Sequence, residues 1–334
     1  MALTIRPATP EDNDALIRCE LESPLELGPI TLRMDRGPDY FAQERLREHA
    51  VVMVAEEDGR IVGIMGGAYH PARIGGQERT MLYVHQGRVP PSHQRRGIGG
   101  ALAQAVSRWA AEQGARVDSP YWYIAPTNQR SIAFGGRSSQ PWSVDAYLHY
   151  APTEATPAQV IPIRPLVEDE LPDVVALINR TREGQEFFLP YTPDSFRARL
   201  GRSPDYSWRN LYGLEDGGRL VAVAGVWDTG RSLRTIEEDH ETATVRTRAA
   251  VTVLDYGFAG GRADAWRTLF LGLLEIGKSW GRSGLRFTAP TGSEAFAAVA
   301  DFPLESNVFK LFTPRLPEPP EAAAHGVYVD PVYL

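Results

Sequence analysis

Glycines at 97, 99 and 100 stand beside Gln94, Arg95 and Arg96 in one run, Gln94-Arg95-Arg96-Gly97-Ile98-Gly99-Gly100, a combination suited to holding a diphosphate. Without a Cβ, the backbone at Gly97 and Gly99 can approach phosphate oxygens closely. Arg95 and Arg96 add charge that can meet the diphosphate or a ribose phosphate. Just upstream, Thr80-Met81-Leu82-Tyr83-Val84-His85 has the composition of a strand, and alternation puts Tyr83, His85, Gly87 and Val89 on one face. His85 is a candidate general base, since an unperturbed imidazole titrates at roughly 6.5. Glu78 lies further back on the same run and could act through water, while Tyr83 suits a cavity wall. The plainer readings are a turn before a helix for the glycines and a packed or surface residue for His85.

The elements that must hold these residues are legible nearby. After the loop, Ile98, Leu102, Val106 and Trp109 fall on one helical face, and Gly114 is a natural stop. The glycines therefore sit at the start of a helix, where unpaired N–H groups and the positive dipole end attract anions. A nucleotide-triphosphate loop ending in Gly-Lys-Ser/Thr is absent. The three spaced glycines and downstream acid of a dinucleotide fold do not fit either.

The plan recurs. Ile5-Arg6-Pro7-Ala8-Thr9-Pro10-Glu11-Asp12 returns, loosened, as Ile163-Arg164-Pro165-Leu166-Val167-Glu168-Asp169-Glu170. Each reads as a short strand entering a helix, the first from about Pro10 into Cys19, the second through Val174, Leu177 and Ile178. Downstream, Val51–Ala55, Asp58-Gly59 and Arg60–Met65 form a strand, tight turn and strand; Leu211–Leu214, Asp216-Gly217-Gly218 and Arg219–Val223 repeat it. This predicts a duplicated α/β protein: a first domain over 1–151, a Pro/Thr/Ala linker over 152–162 and a second domain over 163–334. The last segment, Val327 to Leu334, reads as a closing strand.

Composition narrows the function. A length of 334 residues suits two domains, and 43% hydrophobic with 23% charged residues is globular. A net charge of −7 argues against a nucleic-acid partner and agrees with a cationic substrate. No apolar run is long enough to span a membrane, no secretory signal opens the sequence, and the single Cys19 excludes an intramolecular disulfide. No metal-ligand spacing is present. A cytoplasmic location is expected, with the chain a monomer or homodimer.

Gln94-Arg95-Arg96-Gly97-Ile98-Gly99, preceded by Val89-Pro90, closely resembles the GCN5-related N-acetyltransferase (GNAT) superfamily, as do the Ile-Arg-Pro-Ala-Thr opening, the Asp-Gly hairpin with Gly63, and a later strand ending at Asn128. The resemblance covers the N-terminal half and implies a mixed sheet whose fourth and fifth strands splay around the pantetheine of acetyl-CoA. It implies that backbone near Arg88 and Val89 pairs with pantetheine, that amides from Gln94 through Ile98 to Gly99, with Gly100 following, hold the pyrophosphate, and that Asn128 lies near the cofactor. It further implies attack of a neutral amine, from a small molecule or peptide, on the thioester carbonyl. The family tyrosine that donates to the thiolate falls here on Gly135, which leaves Tyr121, Tyr123, Tyr147 or solvent as the proton source.

In the second half the matching loop is Tyr256 to Trp266, where the Gln-x-x-Gly-x-Gly order is gone and Asp264 sets a negative charge against any phosphate. That half is expected to keep the fold and lose the cofactor, although Gly260 and Gly261 could still hold an anion. Tandem members of the superfamily such as the mycothiol synthase type are similar, but there the C-terminal half is active. Two competitors remain: a non-catalytic acyl-CoA sensor, favoured by the missing tyrosine, and an aminoacyl-tRNA-dependent transferase, disfavoured by the acidic charge.

Overall fold

A computed structural model describes residues 3–136 and 140–334. The first half runs β1 (Thr4–Pro7), α1 (Asn13–Leu21), β2 (Leu25–Leu27), β3 (Ile30–Asp35), β4 (Ala50–Glu57), β5 (Arg60–Ile74), β6 (Gln77–Arg88), α2 (Ile98–Glu112), β7 (Ser119–Ile124), α3 (Gln129–Gly135) and β8 (Pro141–Pro152). The second half runs β9 (Arg164–Pro165), α4 (Leu171–Thr181), α5 (Pro193–Leu200), β10 (Leu211–Asp216), β11 (Arg219–Trp227), β12 (Arg234–Asp239), β13 (Thr244–Arg248), β14 (Ala250–Phe258), α6 (Ala263–Ser279), β15 (Gly284–Thr288), α7 (Glu294–Ala297), β16 (Glu305–Phe312) and α8 (Pro320–His325).

One mixed sheet of 12 strands, in the order β1-β4-β5-β6-β7-β16-β8-β15-β14-β11-β10-β9, carries both halves. Read inward from either edge, the sequence of elements is the same: a short strand, a hairpin, a long strand, then a parallel neighbour reached through a helix. The duplication seen in the motifs is therefore a duplication of fold, two tandem GNAT folds of α/β type. At the centre the halves exchange strands. β16 pairs with β7 through Lys310↔Ile124, Leu311↔Tyr123 and Phe312↔Trp122, while β8 pairs with β15 through Gly284↔Pro152 to Thr288↔Leu148. Each half thus covers an edge that the other leaves open, and no edge remains at mid-sheet. A smaller sheet, β13-β12-β3-β2, repeats the exchange: β3 and β12 pair along six residues, from Asp35↔Arg234 to Ile30↔Asp239.

The two parallel contacts are short. β6 meets β7 at Met81↔Ser119, Leu82↔Pro120 and Tyr83↔Tyr121, and β14 meets β15 at Ala250↔Gly284, Val251↔Leu285 and Thr252↔Arg286. Beyond those residues each pair parts. Helix α2 closes one face of the first half by packing Ile98, Leu102 and Val106 with Met53, Met65 and Leu82. The opposite face is a core shared by both halves, where Tyr83 and Tyr121 meet Phe187, Val327, Val329 and Tyr333.

Local chemistry explains most element ends. Thr9 precedes a single turn at Pro10–Asp12, and Asp12 returns a carboxylate to the Thr9 amide at 2.8 Å, so α1 starts at Asn13 and runs to Leu21. The segment expected to be a linker is anchored at its start, since Thr153 donates from its amide to Ser283 O at 3.1 Å and from its hydroxyl to Arg282 O at 2.6 Å. The closing strand expected over Val327 to Leu334 is not formed. Val327 makes one isolated bridge to Glu186, and Pro331–Tyr333 coils into a turn. The Asp330 carboxylate caps the Val332 amide at 3.1 Å, and Pro331 has no amide to give to a ladder.

Candidate active site

Where β6 and β7 part, the first half presents two lips and an anion-binding corner. His85 to Arg88 leave β7 and stay with β5, and a bulge between Ile64 and Gly66 carries Gln86 at φ 51°. The chain then passes Val89-Pro90 and a short turn at Pro91–His93 into the loop. Arg95 (φ 63°) and Gly97 (φ 80°) both take left-handed backbone, and Gly97 caps α2. At Gly97 this conformation favours glycine. The first amide to find an intrahelical acceptor is that of Ala101, which donates to Gly97 O at 3.1 Å. Among the described residues, the amides from Arg95 to Gly100 meet no acceptor.

Space is available in front of those amides. A Cβ at Gly97 or Gly100 would meet nothing within 4 Å, and one at Gly99 only the Phe134 ring at 4.0 Å. The Gln94 side chain folds back to Val89 O at 2.9 Å and braces the loop. Arg96 is engaged by Glu57 at 2.6 and 3.0 Å, which holds the Glu57 carboxyl below its usual range. Arg95 is exposed with no carboxylate partner among the described residues, which leaves its charge for a ligand. Free amides, a helix dipole, open space and an unpaired guanidinium fit a diphosphate. Asn128 sits one strand away, capping α3 by accepting from the Ser131 amide at 3.1 Å.

The candidate catalytic residues separate. Tyr83 and His85 stand together, rings stacked with centroids 4.8 Å apart. Glu78 is not brought to them: it is exposed at the start of β6, opposite Arg73. Seven residues of strand put it about 23 Å from His85. His85 is buried, and neither ring nitrogen has a hydrogen-bond partner among the described residues. Its nearest charge is Glu44 Oε2, 3.6 Å from Nε2. Burial, then the guanidiniums of Arg47, Arg36 and Arg88, push the imidazole well below 6.5, so it is neutral at neutral pH.

Much of this environment is invisible to motif reading. Glu44 is ion-paired to Arg47; Glu20 holds Arg36 at 2.9 Å and lies 3.5 Å from Arg88. Oε2 of Glu44 and Oε1 of Glu20 are buried with no hydrogen-bond partner. The second half contributes the segment after Asp330. Tyr83 donates its hydroxyl to Tyr333 O, while Gln43 and Arg47 each donate to Val332 O at 3.0 Å. These residues come from a loop and a distant segment with no periodic signal, and only the shared core unites them.

At Gly135, the expected place of the family tyrosine, a Cβ would stand 2.6 Å from Trp122 Nε1 and 3.1 Å from Ile124 Cδ1. No larger side chain fits there without moving β7 or α3.

The corresponding corner of the second half is filled. The Arg180 guanidinium packs on Gly260, with Nη2 2.0 Å from where a Cβ would stand. Arg262 is held by Asp264 at 3.0 Å and Asp216 at 2.8 Å, so the first turn of α6 carries its own anion. Asp255 pairs with Gly225 as His85 pairs with Gly66, but it is consumed by Arg199 at 2.9 Å and Tyr206 at 2.7 Å.

Comparisons with known proteins agree with this geometry. Residues 19–136 match the model of the Acetyltransferase (GNAT) family. No curated protein sequence matches the chain. Among solved structures, N-myristoyltransferase of Saccharomyces cerevisiae with bound myristoyl-CoA and inhibitors superposes with a TM-score of 0.66 at 10% identity, covering 98% of this chain and 86% of that one. A second structure of the yeast enzyme gives 0.65 at 11% identity, covering 95% and 84%. A GCN5-related N-acetyltransferase from Sphaerobacter thermophilus gives 0.56 at 15% identity, covering 96% and 98%. Residues 19–136 thus carry the match to the Acetyltransferase (GNAT) family, and the chain as a whole has the fold of a tandem pair of GNAT units, as in these solved structures.

Proposed function

We propose that the first half transfers an acetyl group from acetyl-CoA to a primary amine of a small molecule or peptide by direct attack on the thioester. The observation that carries this reading is the row of unpaired amides from Arg95 to Gly100 facing open space beside the parted strands β6 and β7. In it, residues 94–100 hold the diphosphate, and backbone at Arg88 and Val89 lines the pantetheine channel with Asn128 across from it. Acetyl-CoA binds one face of the first unit, residues 1–151, while the second unit, residues 163–334, walls the other through Val332 and Tyr333. A cytoplasmic setting suits the single Cys19, whose thiol burial pushes up to about 12.

His85 serves as the base. Its depressed pKa means that it is unprotonated at neutral pH and loses that form only as pH falls below the ordinary histidine range. The acid limb of kcat/KM is therefore expected below pH ~6.5. Thiol release from acetyl-CoA, followed across a panel of amines and peptides, tests the reading. The wild type releases thiol with an amine present; His85→Gln loses about 10²–10³-fold in kcat and the acid limb with it. An unaltered profile in His85→Gln removes His85 from the mechanism. The enclosed His85 and the buried segment after Asp330 favour a second reading, a non-catalytic acyl-CoA sensor. CoA binding without thiol release toward any acceptor is the outcome that selects it.

A further inference from the structure

β6 and β7 pair only at Met81↔Ser119, Leu82↔Pro120 and Tyr83↔Tyr121, so the space where they part is a slot that ends blind at Tyr83 and Tyr121. Its blind end is covered on both faces. On the side of α2, Leu82 and Val84 pack with Ile98 and Leu102. On the other side the rings of Tyr83 and Tyr121 lie 5.0 Å apart, and the Tyr123 ring lies 6.1 Å from Tyr83 and 5.8 Å from Tyr121. Three phenol rings therefore bridge from one strand to the other over the end of the slot.

Two of the rings are fixed. Tyr83 and Tyr121 are buried, and each hydroxyl is tied: Tyr83 donates to Tyr333 O, and Tyr121 bonds His70 Nε2 at 2.7 Å. His70 Nδ1 lies 3.0 Å from Pro71 O, which makes Nδ1 the donor and leaves Nε2 to accept from Tyr121. Behind them the second half supplies Phe187, 5.0 Å from the Tyr121 ring, and Tyr333, edge-on to Tyr83 at 5.1 Å and stacked on His70 at 4.7 Å. A packed interior of this kind yields little to an inserted group. Tyr123 stands two residues beyond the last paired position, half-buried on the open side of the cluster, and it holds neither of the other two hydroxyls.

We propose that this aromatic wall limits the transferred acyl group to acetyl or propionyl, and that Tyr123 sets the limit. The proposal rests on the acetyl-CoA reading above and deepens it by naming the donors that are refused. Pantetheine entering from the diphosphate loop runs between the parted strands toward the blind end, so the acyl chain is the part that meets the wall. A short chain fits in front of the rings, whereas each further methylene must displace packed phenols or leave the slot. One methylene in a tight apolar pocket already shifts discrimination by about 10–200-fold. Ring volume, and not the phenol hydroxyl, does the selecting.

S-alkyl thioethers of CoA, which cannot react, probe the wall without an acceptor. In calorimetry with the full chain, S-ethyl-CoA is expected to bind within about threefold of CoA, and S-hexyl-CoA at least about 100-fold more weakly. Tyr123→Ala should bind S-hexyl-CoA at least about tenfold more tightly than the wild type does, whereas Tyr123→Phe, which keeps the ring, should match the wild type. Tyr123→Leu takes the place of the alanine variant if that one does not fold. S-hexyl-CoA bound by the wild type as tightly as S-ethyl-CoA overturns the proposal, as does a hexyl penalty that the shortened side chain leaves in place. The two levels separate in the same titrations: a wild type that binds neither CoA nor either thioether sinks the acetyl-CoA reading and the wall with it, whereas intact CoA binding with no hexyl penalty sinks the wall alone.

Discussion

Gly97→Asp is expected to weaken CoA binding at least about 100-fold in calorimetry, while Gly97→Asn costs far less. Gly97 has φ 80°, and a Cβ there meets nothing within 4 Å, so neither side chain clashes with the protein. Both variants share the left-handed strain, about 1–2 kcal/mol, which Asn and Asp tolerate better than other residues. They differ in charge. A carboxylate about 4–5 Å from a diphosphate oxygen costs about 3–4 kcal/mol at an effective dielectric of ~20, two to three orders of magnitude in Kd. The gap between the two variants should narrow with added salt, because the loop is exposed. Equal affinities for Gly97→Asp and the wild type would show that the diphosphate is held elsewhere.

The largest expected effect on stability is at Arg199, in the second half. Its guanidinium donates to Asp255 at 2.9 Å and to both oxygens of Asp330, at 2.6 and 3.1 Å, with all three side chains buried. Arg199→Ala leaves two carboxylates in a low-dielectric interior with their cation removed, a loss of about 3–5 kcal/mol. The effect should cross between halves. Asp330 anchors the segment whose Val332 and Tyr333 carbonyls accept from Gln43, Arg47 and Tyr83 beside His85. Urea unfolding checks the first part. Amide exchange at Val332 and Tyr333 checks the second, with faster exchange in Arg199→Ala than in the wild type. Adding Asp255→Asn and Asp330→Asn should recover part of the loss by discharging the stranded oxygens. A fall below about 1 kcal/mol would mean that the ion pairs are replaceable by water.

The sequence reading located the loop, both hairpins and the duplication because each is a local pattern. Asp58-Gly59 forces a tight turn, Ile98, Leu102 and Val106 share a helical face, and Gly97 sits where only its backbone is relaxed. What it missed is non-local. The exchange of β8 and β16 between halves depends on the edges of β7 and β15 that face away from β6 and β14, and no residue of β8 advertises its partner. Glu20, Glu44 and Arg47 gather around His85 through tertiary packing, so no spacing points to them. Alternation put Tyr83 and His85 on one face, whereas Glu78, offered as acting through water, falls on the other face by the same rule and lies at the far end of β6. The expected closing strand failed at Asp330-Pro331, where a cap and a missing amide favour a turn.

The second half keeps the same parted strands but fills its corner with Arg180, Arg262 and Asp264. The two halves therefore differ in what stands at the start of the helix: an open loop with an unpaired Arg95 in the first, a guanidinium on Gly260 and the Asp264 carboxylate in the second. A crystal structure of the chain with CoA tests this most directly. The diphosphate is predicted within hydrogen-bonding distance of the amides between Arg95 and Gly100, with the pantetheine between β6 and β7 and no nucleotide density at α6. Diphosphate density at the α6 corner, or an empty loop at residues 94–100 in crystals that hold CoA elsewhere, would contradict the account.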